Sequence, residues 1–234
     1  MKVLILINKV GLGDCIIHLN YIHEISKKYE KPVSILAKEN TRAKDLFQDD
    51  PHIKEVITLD RLEDETGSHD GLNGFIKLIK DIKEKKFDKV FIFNSSVRYF
   101  LVCKFAGIKK IAQYPLFKKK GQHVVNTAKI FTENEIDKIV STQPKLFVNQ
   151  DKILKAQKKM SFNNKCIVLG ISASGPTKRW EIKNFIKLSE KINQKFPSKF
   201  YLAAGKNDQP LINEISNSNI GSNCISLNNL KINE

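Results

Sequence analysis

Apolar runs of strand length alternate with segments of helical period along most of the chain, and this alternation constrains the fold more than any other feature. Lys2 to Ile7, Val33 to Ala37, Glu55 to Leu59, Lys89 to Phe93 and Lys109 to Gln113 are the strand-length runs of the first half. Between them, Asp14 opens an amphipathic helix through about Tyr29, with Ile16, Leu19, Ile22 and Ile25 at helical spacing. Arg42 to Phe47 reads as a short helix ending before Asp49-Asp50-Pro51, and Leu72 to Lys85 as a longer one with Phe75, Leu78, Ile79 and Ile82 on one face. Glu63 to Gly71 is polar and reads as a loop, and a short helix follows Asn94-Ser95-Ser96 through Phe105. Strands alternating with helices at this spacing predict a parallel sheet covered on both faces, an open α/β domain.

The pattern changes after residue 114. Pro115 to Gln122 is a basic loop, and His123 to Phe131 reads as a helix. From about Glu133 to Asn164 the periodicity weakens around Pro144, with a lysine-rich helix near 151–159. Cys166–Gly170, Lys199–Ala203 and Asn223–Leu227 then read as strands, with helices at Trp180–Phe196 and Gln209–Ser216. The expected division is therefore one Rossmann-like domain over 1–135, a linker over 136–164 and a second over 165–234. Three strands with so few helices make a small core, so the second unit is expected to be incomplete or unusually small.

Composition narrows the function classes. With 41% hydrophobic and 28% charged residues, the 234-residue chain is that of a globular protein. No apolar run approaches the ~20 residues that span a bilayer, and the apolar start is too short for a signal peptide, so a cytoplasmic protein is expected. The four cysteines stand far apart beside apolar neighbours and read as small core residues. Neither they nor the five histidines have metal-ligand spacing, so no metal is expected. The net charge of +15 comes from lysine, with arginine only at 42, 61, 98 and 179. No nucleic-acid recognition motif accompanies it, so nucleic acid is not an expected partner. Such a surface suits polyanions, including nucleotide sugars and an anionic membrane face.

Two strand-end loops carry the candidate chemistry. Gly11-Leu-Gly-Asp14 follows the first strand, but Ile16 stands where the dinucleotide fingerprint needs a third glycine, which counts against a nicotinamide or flavin cofactor. Gly11 and Gly13 allow a tight turn and close approach of a ligand. Asp14 is either a helix cap or a base placed at the carboxyl end of a parallel strand. In the second half, Ile171-Ser-Ala-Ser-Gly-Pro-Thr-Lys-Arg-Trp180 joins a strand to a helix. It reads either as a helix cap or as a phosphate cradle. In the cradle, Ser172, Ser174 and Thr177 offer hydroxyls, Gly175 lets the backbone come close and Lys178 supplies charge. Neither a P-loop nor a G-x-S-x-G elbow is present.

Taken in order, several segments resemble glycosyltransferase family nine, the ADP-heptose:lipopolysaccharide heptosyltransferases. They are Gly11-Leu-Gly-Asp14, Asp88…Asn94-Ser-Ser-Val-Arg98…Gly107, Gly170-Ile-Ser-Ala-Ser…Lys178-Arg-Trp180…Phe185 and Ala203-Ala-Gly-Lys-Asn-Asp208. The resemblance implies a GT-B fold, with the acceptor bound mainly by the first domain and the nucleotide-sugar by the second. It implies Asp14 as general base and Lys178 on the donor phosphates with Ser174 nearby. Gly205 and Asp208 would lie on the nucleoside side, and Gly11, Gly13 and Arg98 on the acceptor side. The activity implied is inverting, metal-independent transfer from an ADP-sugar or other nucleotide sugar to a glycolipid or glycan acceptor, such as a bacterial lipopolysaccharide core.

The chain departs from the family pattern at Asn20 and Glu181, where proline is common, and it has no D-[ST]-G-x-x-H segment. That absence gives a C-terminally truncated, non-catalytic nucleotide-sugar or glycan-binding relative as the alternative expectation.

Overall fold

A computed structural model describes residues 1–8, 11–62, 64, 66–115, 123–160, 165–173 and 175–230. Ser174 and most of the basic 115–122 loop lie outside the described residues. The chain divides into two compact units, Met1–Val148 and Asn149–Glu234. This division falls inside the stretch expected as a linker; residues 136–148 go with the first unit and the lysine-rich helix with the second.

The first unit runs β1 (Val3–Ile7), α1 (Leu12–Lys28), β2 (Val33–Lys38), a 3-10 turn, α2 (Ala43–Leu46), β3 (Ile53–Leu59), α3 (Gly71–Lys85), β4 (Lys89–Ile92), α4 (Val97–Phe105), β5 (Lys110–Gln113) and α5 (Val124–Ile136). All strands are parallel, in the order β3-β2-β1-β4-β5. Side chains alternate across a strand, and β1 shows the consequence. Val3, Ile5 and Ile7 join Leu19, Ile22 and Ile25 of α1 and Ala128 of α5 on one face. Leu4 and Leu6 join Leu78 and Ile82 of α3 and Tyr99 and Val102 of α4 on the other. A strand buried on both faces reads as an unbroken apolar run, which is what residues 3–7 show.

Helix α5 runs five residues past the expected Phe131. Its extra turn is polar except for Ile136, yet Thr132 and Ile136 are buried at i, i+4 spacing and Glu135 pairs with Lys89 at 3.1 Å. Asn20, where the family pattern favours proline, donates to the Ser141 carbonyl at 2.5 Å and ties α1 to the chain beyond α5.

The second unit runs α6 (Gln150–Lys159), β6 (Lys165–Gly170), a 3-10 turn (Pro176–Lys178), α7 (Ile182–Lys195), β7 (Ser198–Ala203), a 3-10 turn (Lys206–Asp208), α8 (Gln209–Ser216), a further 3-10 turn and β8 (Cys224–Ser226). Its parallel sheet has the order β6-β7-β8. Leu169, Phe200 and Leu202 meet Ile182 of α7 and Ile212 and Ile215 of α8 on one face. On the opposite face Val168 is 63% and Ile225 41% exposed, while Tyr201, between them on the central strand, is buried. Both crossovers step in one direction along the sheet and place α7 and α8 on the same side.

Of the four cysteines expected in the core, two are buried there and two are not. Cys15 and Cys103 are core residues, with burial pushing their thiols up to about 11 and about 12, which makes them inert. Cys166 and Cys224 are only half-buried.

Candidate functional site

In an open parallel sheet, ligands bind beyond the carboxyl ends of the strands where the order reverses. In the first unit the chain winds outward from β1 to β2 and β3, then returns to place β4 on the other side of β1. The switch point therefore lies between β1 and β4, and the segments leaving it are 8–11 and 93–96.

The first of these places Asp14. Helix α1 opens at Leu12, two residues earlier than expected, with Gly11 as its N-cap and Asp14 in its first turn. Asp14 is half-buried, and its Oδ2 accepts the Gly11 N–H at 3.1 Å. Its own N–H bonds the Gly11 carbonyl at 3.1 Å, closing a reciprocal turn. Among the described residues the carboxylate has no other hydrogen-bond donor, so lone pairs remain for a ligand hydroxyl. A carboxylate here also sits at the positive end of a 17-residue helix. Among the described residues a Cβ built on Gly13 meets nothing within 4 Å, which leaves the backbone there open to close approach.

The second segment contributes Asn94. Its Oδ1 accepts the Ser96 N–H at 2.9 Å, and Gln113 Nε2 donates to the carbonyls of Asn94 (3.1 Å) and Ser96 (3.0 Å), which fixes the turn. Its Nδ2 is buried with no partner among the described residues, and so is Oδ1 of Asn8. Leu6 pairs with Ile92 across the ladder, so Asn8 and Asn94 occupy matching positions just past the two strands. An unmet donor and an unmet acceptor at a switch point mark a polar ligand site, since buried polar groups are almost always satisfied. Neither was among the residues singled out as site residues from sequence. Their signal was position alone, an asparagine directly after each of two adjacent strands.

Arg98, expected on the acceptor side, sits in α4 with a structural task. Its Nη2 donates to the carbonyls of His69 (2.9 Å) and Gly71 (3.0 Å), and its guanidinium lies over the Phe75 ring at 5.2 Å. It pins the start of α3 to α4.

In the second unit, β6, a turn and α7 give the expected strand–loop–helix order. Thr177 and Lys178 are exposed in the 3-10 turn, where the Lys178 N–H bonds the Gly175 carbonyl at 3.1 Å. Among the described residues a Cβ on Gly175 would meet nothing within 4 Å. Helix α7 starts at Ile182, so Trp180 precedes it, half-exposed and edge-on to Phe185 at 4.9 Å.

Ser172 and Asp208 are brought together rather than left on separate sides of a ligand. The Ser172 hydroxyl donates to Asp208 Oδ2 at 2.5 Å, which also accepts the Gly205 N–H at 3.0 Å. Arg179 donates through Nη2 to Asp208 Oδ1 at 3.4 Å and through Nε to the Ala173 carbonyl at 3.1 Å. The Ser172 hydrogen bond, with the Gly205 N–H and the Arg179 charge, holds the Asp208 carboxyl below the usual aspartate range against the opposing effect of burial. Ser172 therefore spends its proton on Asp208, and the β6–α7 and β7–α8 loops are clamped together. The sequence reading missed Arg179; adjacency to Lys178 was its only signal.

Among the described residues no group of three or more metal-ligating side chains is assembled, and no helix is long and apolar enough to cross a membrane.

Comparison with known proteins identifies the fold and the family. The structure is similar to E. coli ADP-heptose lps heptosyltransferase II, with 18% identity, a TM-score of 0.73 and coverage of 97% of this chain and 72% of that one. It is also similar to the glycosyl transferase family 9 protein from Veillonella parvula DSM 2008, at 15% identity and TM-score 0.76, covering 98% and 70% of the two chains. E. coli heptosyltransferase WaaC with ADP aligns at 10% identity and TM-score 0.66, covering 99% and 76%. These likenesses show a GT-B-like α/β fold of two Rossmann-like units. A search of curated proteins finds no match. The model of glycosyltransferase family 9 (heptosyltransferase) matches residues 75–226, well over half of the chain and including Asn94, Lys178, Arg179 and Asp208, so the chain is a glycosyltransferase that belongs to this family.

Proposed function

We propose that the protein transfers a heptose or related sugar from an ADP-sugar to a hydroxyl of a lipopolysaccharide-core or similar surface-glycan acceptor, with inversion and without a metal. The observation that carries this reading is Asp14, a carboxylate held by one backbone N–H beside the β1/β4 switch point, with lone pairs unspent among the described residues. The first unit takes the acceptor. Asn8 Oδ1 and Asn94 Nδ2 offer the acceptor and donor that sugar hydroxyls match, and Asp14 receives the proton of the attacking hydroxyl. The second unit takes the donor, with Lys178, Thr177 and the open backbone at Gly175 on the diphosphate.

In one displacement the acceptor oxygen bonds to the anomeric carbon, the bond from that carbon to the diphosphate oxygen breaks, and ADP leaves with the electron pair. The acceptor proton ends on Asp14. Lys178 offsets the charge on the departing diphosphate, the task a divalent cation performs in other transferases. The similar E. coli structures are described as holding ADP and ADP-2-deoxy-2-fluoro heptose, which supports an adenine nucleotide-sugar as donor. The protein would work in the cytoplasm, and its lysine-rich chain, +15 overall, supports peripheral contact at an anionic inner-membrane face.

ADP release from ADP-heptose, assayed with heptose-deficient lipopolysaccharide core in EDTA, tests the reading. Acceptor-dependent release and a product anomer opposite to the donor's are expected. Release only with added divalent metal, or retention of configuration, would contradict it.

A further inference from the structure

We propose that Arg179 is a second cation on the donor diphosphate, beside Lys178, and that Asp208 is the positioning residue that aims it. This inference rests on reading the second unit as the donor side. Arg179 follows the Pro176–Lys178 turn and is held by the Ala173 carbonyl and, more loosely, by Asp208 Oδ1. A guanidinium has five N–H donors in a planar fork. Nε and Nη2 face the loops, while Nη1 has no partner among the described residues and the side chain is 42% exposed. That leaves part of the fork for a phosphate, which arginine meets bidentately and lysine meets only as a point charge. The Lys178 ammonium also has no partner among the described residues, but it stands exposed on a flexible stem. Lysine then supplies charge and arginine supplies direction.

Asp208 explains why the arginine points where it does. It stands at the N-cap of α8, where an aspartate normally accepts from its own helix, yet it makes no such bond. Its carboxylate turns instead to Ser172, Gly205 and Arg179. An ionised carboxylate beside a diphosphate would repel it, and the three donors offset that charge. The Nη2–Oδ1 separation of 3.4 Å is long for a charge-assisted bond, which runs nearer ~2.8 Å. The guanidinium is therefore steered without being locked, and it can tilt toward a phosphate without breaking the Ser172–Asp208 clamp.

Calorimetric titration of the full chain with ADP and with adenosine tests this. Arg179→Met is expected to weaken ADP about 10- to 100-fold, the loss of one or two charge-assisted bonds, and to leave adenosine within about twofold. Arg179→Lys is expected to recover only part of the loss. Asp208→Asn should weaken ADP several-fold in the wild-type background and add nothing to Arg179→Met, because a residue acting through another shows this non-additivity. Full additivity would make Asp208 merely structural and overturn its role. ADP affinity unchanged in both Arg179 variants but reduced in Lys178→Met would overturn the inference and leave the donor-side reading standing. No ADP binding by the wild type at millimolar nucleotide would bring down that reading and the inference with it.

Discussion

The same local turn is built twice and used in opposite ways. Gly11-x-x-Asp14 after β1 and Gly205-x-x-Asp208 after β7 each have an aspartate Oδ2 accepting the glycine N–H, at 3.1 and 3.0 Å, and an aspartate N–H bonding the glycine carbonyl, at 3.1 and 3.0 Å. Around Asp14 nothing else among the described residues donates to the carboxylate. Around Asp208 the Ser172 hydroxyl and Arg179 complete the set, and the residue is buried. The turn alone therefore does not specify a role. A carboxylate whose lone pairs are spent on the fold holds loops together, and one whose lone pairs are unspent is available to accept a proton.

The largest expected effect lies on the Asp14 side. Asp14→Asn keeps an oxygen for the Gly11 N–H but removes the base, so turnover should fall by about 10²–10⁴-fold with an unchanged circular dichroism spectrum. Turnover within a few-fold of wild type would remove the contrast. On the other side, Asp208→Ala should lower the unfolding free energy of the second unit by about 1.5–3 kcal/mol, the scale for hydrogen bonds to a charged group. Urea titration followed by Trp180 fluorescence reads it, since the tryptophan packs on Phe185 of that unit.

Acid sharpens the comparison further. The Asp208 pKa is lowered in the folded protein, so its contribution is fully present above the unfolded aspartate value of about 3.9. It is lost as pH falls through the lower folded value. The stability gap between wild type and Asp208→Asn should therefore be constant above about pH 5 and shrink below about pH 4. A gap that widened on acidification would reverse the sign. The smallest effects concern the glycines. Gly13→Ala, in the first turn of α1 with no described atom within 4 Å of its Cβ, should stabilise the free protein by up to about 0.5 kcal/mol, since the full glycine penalty applies to a helix interior. Gly205→Ala should not, because its Cβ would stand 3.1 Å from Asp208 Oδ2.

How much of this was legible depended on sequence distance. The strands of the first sheet could be read because burial on both faces makes β1 and β4 apolar at successive positions and leaves β2 interrupted only by Ser34 before its last residue. The last turn of α5 could not, because Glu133, Asn134 and Glu135 are polar and their turn is set by Ile136 packing and the Lys89–Glu135 pair, both tertiary. Asp14 and the 171–180 loop stood out as strand-to-helix junctions. The Ser172–Asp208 clamp did not, since its partners are 36 residues apart and meet only when β6 and β7 pair. The exposure of Val168 was likewise invisible, because β6 reads apolar throughout Ile167, Val168 and Leu169 whichever face each of them takes.

The measurement that tests the account most directly is steady-state transfer by Asp14→Asn and Asp208→Ala side by side, each with its melting curve. Asp14→Asn is expected to melt like wild type and to lose kcat by at least about 100-fold. Asp208→Ala is expected to melt lower, to keep kcat at saturating donor within a few-fold and to raise the donor KM. An Asp14→Asn enzyme that retains its kcat, or an Asp208→Ala enzyme that loses kcat while melting like wild type, would contradict the division of roles between the two turns.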